Sequence, residues 1–78
     1  MKSEILEVSE VCPDTDSAIR VILMKCNDHF EIVTETKERI GVAFEFIETG
    51  RQTVRDEKSA RAQFQLTVDQ IASLDSLE

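Results

Sequence analysis

Seventy-eight residues allow a single domain, 1–78, with a thin core, because a chain this short hides only about 60–65% of its unfolded surface. The hydrophobic share is 41%, and the only aromatic residues are Phe30, Phe44, Phe46 and Phe64. The net charge of −7 argues against direct binding to nucleic-acid phosphates or anionic membranes, which are held by clustered Lys and Arg.

No apolar run approaches the roughly 20 residues that span a bilayer. Met1-Lys2-Ser3-Glu4 lacks the apolar centre of a signal peptide. Two cysteines in such a context read as reduced thiols, so the expected location is cytoplasmic.

In chain order, Glu4 to Val11 is the first apolar run and reads as a strand. Cys12 to Ser17, with Pro13, Asp14 and Asp16, reads as the turn that ends it. Ala18 to Cys26 alternates, placing Ile19, Val21 and Leu23 on one face and Ile22 and Met24 on the other. Asn27-Asp28 suits a two-residue hairpin turn, because both residues tolerate positive φ. A third strand then runs from His29 to about Glu35.

That turn fixes a register: Lys25 opposite Phe30, Leu23 opposite Ile32, Val21 opposite Thr34. Positions 19, 21, 23, 30 and 32 then share one wholly apolar face, and a slip of one residue would destroy the agreement.

Arg39 to Glu48 fits a strand with Ile40, Val42, Phe44 and Phe46 alternating. It also fits a helix with Ile40, Ala43, Phe44 and Ile47 in line. Its Val, Ile, Phe and Thr content, with Gly41 inside, favours the strand. An odd-length loop near Lys37-Glu38 would turn its apolar side toward Phe30 and Ile32. Residues 51–61 read as a long polar connection, and Gln63 to Val68 as another alternating segment with Phe64, Leu66 and Val68 inward. Thr67 and Gln70 suggest a capping box, followed by a short helix carrying Val68, Ile71, Leu74 and Leu77. The expected fold is α+β and mostly β: an antiparallel meander of four to five strands with a short C-terminal helix packed on one face.

Motifs for chemistry are weak. His29 is the single histidine, expected at an open turn without the carboxylate or hydroxyl partner that acid–base work needs. Cys12, Cys26 and His29 are rejected as zinc ligands, because a strand length of about 25 Å at ~3.3 Å per residue separates the two cysteines. The same span excludes a disulfide. Asp14-x-Asp16 lacks the glycine and closing glutamate of a calcium loop. No metal, cofactor or catalytic residue is expected.

Arg51, Arg55, Lys58 and Arg61 form the most distinctive local feature and are the candidate partner-binding residues. The function expected is a non-catalytic protein-interaction (accessory or adaptor) domain with a protein partner, which includes a homodimer. Two alternatives compete. One is an acidic inhibitor that mimics nucleic acid, with Glu31 and Glu35 on one strand face. The other is a small enzyme with a subunit-interface site around His29.

Overall fold

The Asn27-Asp28 turn and the pairing it dictates are where the architecture begins. Lys25 faces Phe30, Leu23 faces Ile32 and Val21 faces Thr34, and the same ladder continues to Ile19–Thr36. Cys26 N–H donates to His29 O at 2.8 Å to close the hairpin. The turn reaches this register without the expected backbone geometry, since no described non-glycine residue has positive φ.

The computed structural model describes residues 3–14 and 17–76, and the side chains of all of these but 13, 14 and 74–76. Four strands, β1 (Glu4–Asp14), β2 (Ser17–Lys25), β3 (Phe30–Ile40) and β4 (Ala43–Val54), precede one helix, α1 (Glu57–Ser76). The sheet order is β1-β2-β3-β4, an antiparallel meander in which each strand lies beside its sequence neighbour. The helix packs across one face.

β1 extends further than its apolar run suggests. Cys12, Pro13 and Asp14 belong to the strand, with Asp14 paired to Ser17 after a register shift. Proline is tolerated there because β1 is an edge strand with one side free of ladder bonds. The remainder of that expected turn, residues 15 and 16, lies outside the described residues, as does Leu77.

Residues 37–49 are strand, but the expected odd loop is not found. β3 continues to Ile40, which pairs with Ala43 across a two-residue turn of Gly41 and Val42. Gly41 has φ of 66° and Val42 does not share the positive value, which is the requirement of a type II′ turn with glycine first. The odd residue lies inside β4: Thr34 pairs with Gly50 and Glu35 with Glu48, so Thr49 is left over as a bulge. Thr49 Oγ1 donates to Thr34 O at 3.4 Å and lies 3.1 Å from Thr36 Oγ1.

Because the loop is even, Phe44 and Phe46 pair with Arg39 and Lys37. They therefore sit on the face opposite Phe30 and Ile32, not on the same one. Past the bulge the alternation resets, and Gln52 and Val54 stand opposite Ile32 and Phe30.

The second correction concerns residues 51–68. Arg51 to Val54 completes β4, and Gln63 to Val68 is not a strand but the middle of α1. The helix starts at Glu57, well before the expected Thr67 cap. Its first turn is closed by Asp56, whose Oδ2 accepts from Ser59 N–H at 2.9 Å, the standard service of an N-cap carboxylate. Glu57 bonds Arg61 and Gln65 bonds Asp69 one turn apart. Thr67 sits mid-helix, buried, donating to Gln63 O at 2.8 Å and accepting from Gln52 Nε2.

The core lies between α1 and the sheet face of Val21, Leu23, Phe30 and Ile32. Ala60 and Phe64 complete it, with Leu6, Val54, Val68 and Ile71 at its margin. Val21, Leu23 and Ile32 are fully buried, each contributing about 1.5–3 kcal/mol of transfer free energy.

Candidate functional site

The strand alternation puts a second set of side chains on the sheet face away from α1. Val8 pairs with Ile22, Ile5 with Met24 and Ile22 with Val33, so an apolar patch runs across three strands. Ile22 and Val33 are buried although no helix covers them, whereas Ile5 and Val8 are 60% and 49% exposed. Ion pairs share this face with the patch.

Arg20 Nε and Nη2 both donate to Glu35 Oε1, at 3.0 and 2.7 Å, directly across the β2–β3 ladder. The same guanidinium lies 4.0 Å from the Phe46 ring centroid, and Lys37 Nζ lies 4.9 Å from that of Phe44. Arg51 donates to Glu48 through Nε and Nη2, at 2.9 and 2.8 Å, and to Glu31 Oε1 through Nη1.

At the β2–β3 turn the network reaches His29. Nδ1–H donates to Asp28 Oδ1 at 2.8 Å, and Nε2–H donates to Glu31 Oε2 at 2.9 Å. His29 thus has carboxylate partners, contrary to the expectation of an open turn without them. Two acceptors favour the charged imidazole: the bond to Asp28, then that to Glu31, raises its pKa above the ordinary value. In return, the His29 bond lowers the Asp28 and Glu31 carboxyls, with Arg51 adding to the effect on Glu31. Arg51 likewise lowers Glu48, and Glu48 with Glu31 raises Arg51 further.

Cys26 pairs across the turn from His29 and therefore faces the same side. One donor atom each from Cys26, His29 and Glu31 falls within 4.8 Å of the others. Cys26 Sγ also lies 3.9 Å from Ser3 Oγ, beside an open hollow of about 670 Å³ lined by Ser3, Glu4, Ile5, Lys25, Cys26 and Asn27. Cys12 is exposed and near Glu10, at the opposite end of the β1–β2 pair. Its rejection as a ligand partner of Cys26 matches this placement, but the strand period had already put Glu31 beside His29. That i, i+2 relation was the overlooked signal.

The four basic candidates do not form one patch. Arg51 spends its charge on Glu31 and Glu48, on the face away from the helix. Arg61 lies on α1, bonded to Glu57 at 2.9 Å and near Glu7 of β1 at 3.5 Å. Arg55 and Lys58 are exposed between them, with Arg55 close enough to help lower the Asp28 carboxyl.

Large apolar side chains are exposed at the far end of the sheet. The β2–β3 ladder ends at Ile19–Thr36, whereas β3 and β4 pair on to Ile40–Ala43. This two-stranded arm carries Ile40 and Ile47 on one side and Phe44 on the other, 49%, 37% and 47% exposed, and Val42 at its tip is 97% exposed.

No helix of the described residues is long and apolar enough to cross a membrane. The chain matches no protein-family model, no curated protein and no solved structure.

Proposed function

We propose that this chain is a non-catalytic protein-interaction domain whose first partner is a second copy of itself, engaged through the β3–β4 arm and the adjoining uncovered sheet face. The observation that carries this reading is the arm: Ile40, Val42, Phe44 and Ile47 are exposed on both of its sides. A two-stranded ribbon is marginal by itself in water, and clustered apolar exposure on a small acidic domain favours an interface over solvent. The thin core of a 78-residue chain adds to the benefit of association.

Acidic mimicry of nucleic acid draws less support. Glu35 is tied to Arg20, and Glu31 to Arg51 and His29, so these two carboxylates are neutralised by the chain's own cations. Catalysis at His29 also draws less support, because both ring nitrogens are engaged by carboxylates and none is left to activate a nucleophile. Two unpaired thiols agree with a reducing, cytoplasm-like compartment.

Light scattering coupled to size exclusion tests the proposal. The expected mass is twice that of the 8.9 kDa chain, and Val42→Glu with Phe44→Glu returns it to one chain without loss of the far-UV dichroism. A wild-type monomer throughout the accessible concentration range would remove the reading.

A further inference from the structure

The cluster at the β2–β3 turn is built of three chemically different donors rather than of carboxylates alone. A thiol, an imidazole and a carboxylate together match the ligand chemistry of zinc-class divalent ions, which take sulfur, nitrogen and oxygen in one tetrahedral shell. We propose that Cys26 Sγ, His29 Nε2 and a Glu31 carboxylate oxygen form a three-donor site for such a cation. This site is independent of the self-association proposed above.

The backbone explains why these residues meet. Cys26 and His29 flank the two-residue turn and are joined by the Cys26 N–H to His29 O bond. Glu31 follows two positions along β3, on the same face. A tetrahedral zinc shell places its donors about 3.3–3.7 Å apart, given bonds of about 2.0–2.3 Å. One donor atom from each residue already lies within 4.8 Å of the others, and His29 Nε2 and Glu31 Oε2 lie 2.9 Å apart. Side-chain rotations of about 1 Å therefore suffice to form the shell.

Two neighbours prepare the site. Asp28 accepts from His29 Nδ1–H, which orients the ring and aims Nε2 at the metal position, the usual carboxylate–histidine–metal relay. Arg51 grips the other oxygen of Glu31 and is itself shared with Glu48, which pins the carboxylate in place. Binding places the cation between Nε2 and Glu31 and takes Cys26 as the thiolate, so the protons these ligands give up pass to solvent. With three protein donors, the fourth position of the shell would be taken by water.

The test is titration of the reduced full chain with Co²⁺, followed by absorption and by displacement with Zn²⁺. One equivalent is expected to saturate a tetrahedral spectrum with a thiolate-to-cobalt charge-transfer band. Cys26→Ser should lose that band, His29→Gln and Glu31→Gln should each weaken uptake at least about tenfold, and Asp28→Asn by about 10–100-fold. Cys12→Ser should leave the titration unchanged. Cys26, His29 and Glu31 are half-buried at or beside the β2–β3 turn, and far-UV dichroism of each variant verifies its fold. Failure to saturate, a charge-transfer band surviving in Cys26→Ser, or one lost in Cys12→Ser would each overturn the site.

Discussion

The two faces of this one sheet bury apolar residues by different means. On the α1 side, Val21, Leu23 and Ile32 lose all contact with water beneath Phe64 and Ala60. On the other side, Ile22 and Val33 are nearly as buried with no helix above them, and their neighbours on that face include the Arg20–Glu35 pair and the half-buried Phe46. Burial alone is thus a poor guide to what supports a residue. A helix is a stiff lid held by a continuous ladder of hydrogen bonds, whereas a long side chain such as arginine can swing away for a partner at small cost.

The sharpest way to break this contrast is to cut the helix loose. Phe64→Ala should cost about 3–5 kcal/mol in urea denaturation, a large fraction of what a domain this size possesses. Val8→Ala, half-exposed on the other face, should stay within about 0.5 kcal/mol. If the two losses come out alike, the faces are not energetically distinct.

The two glycines of β3–β4 offer a finer comparison. A methyl group at Gly41 would meet nothing within 4 Å, so space is no obstacle, but φ of 66° is hostile to a side chain. Gly41→Ala should therefore cost about 1–2 kcal/mol. At Gly50 the added carbon would lie 3.7 Å from Thr34 Cβ, an ordinary contact, with no unusual φ. Gly50→Ala should be close to neutral by the same thermal or urea measurement, and an equal cost at both positions would refute the backbone argument for Gly41.

The smallest expected effect concerns the start of the lid. The Ser59 backbone bond lowers the Asp56 carboxyl below its ordinary 3.8. With the folded value depressed, its contribution is present above the unfolded pKa and is lost as pH falls through the folded one. Asp56→Ala should lower the melting temperature at neutral pH, and the gap from wild type should close in strong acid. A gap independent of pH would mean that the cap does not act through its charge.

The centre of the fold was legible because two signals agreed there. Turn chemistry at Asn27-Asp28 and the alternation of Val21, Leu23, Phe30 and Ile32 both pointed to one register, and the structure has it. The arm was misread because Gly41 was weighed as a flaw in a helix interior, and so kept inside a strand, rather than as the first residue of a turn. The compensating odd residue, Thr49, leaves no mark in composition. The helix was shortened because Phe64, Leu66 and Val68 imitate a strand period. Ala60, Phe64, Val68 and Ile71 carried the true spacing, with Asp56 ready to cap it. At the candidate site, Cys26 and His29 were weighed together with the distant Cys12 and rejected, but Glu31 acquires meaning only once the turn has brought it beside them.

Each strand of the meander lies beside the one made just before it, so most pairings close short loops. Such local topology favours rapid assembly. Chain order adds an asymmetry in time: all four strands precede α1, and during synthesis Val21, Leu23 and Ile32 wait, paired but bare, until the helix emerges. That interval is when the nascent sheet is most open to capture by a neighbour's greasy surface.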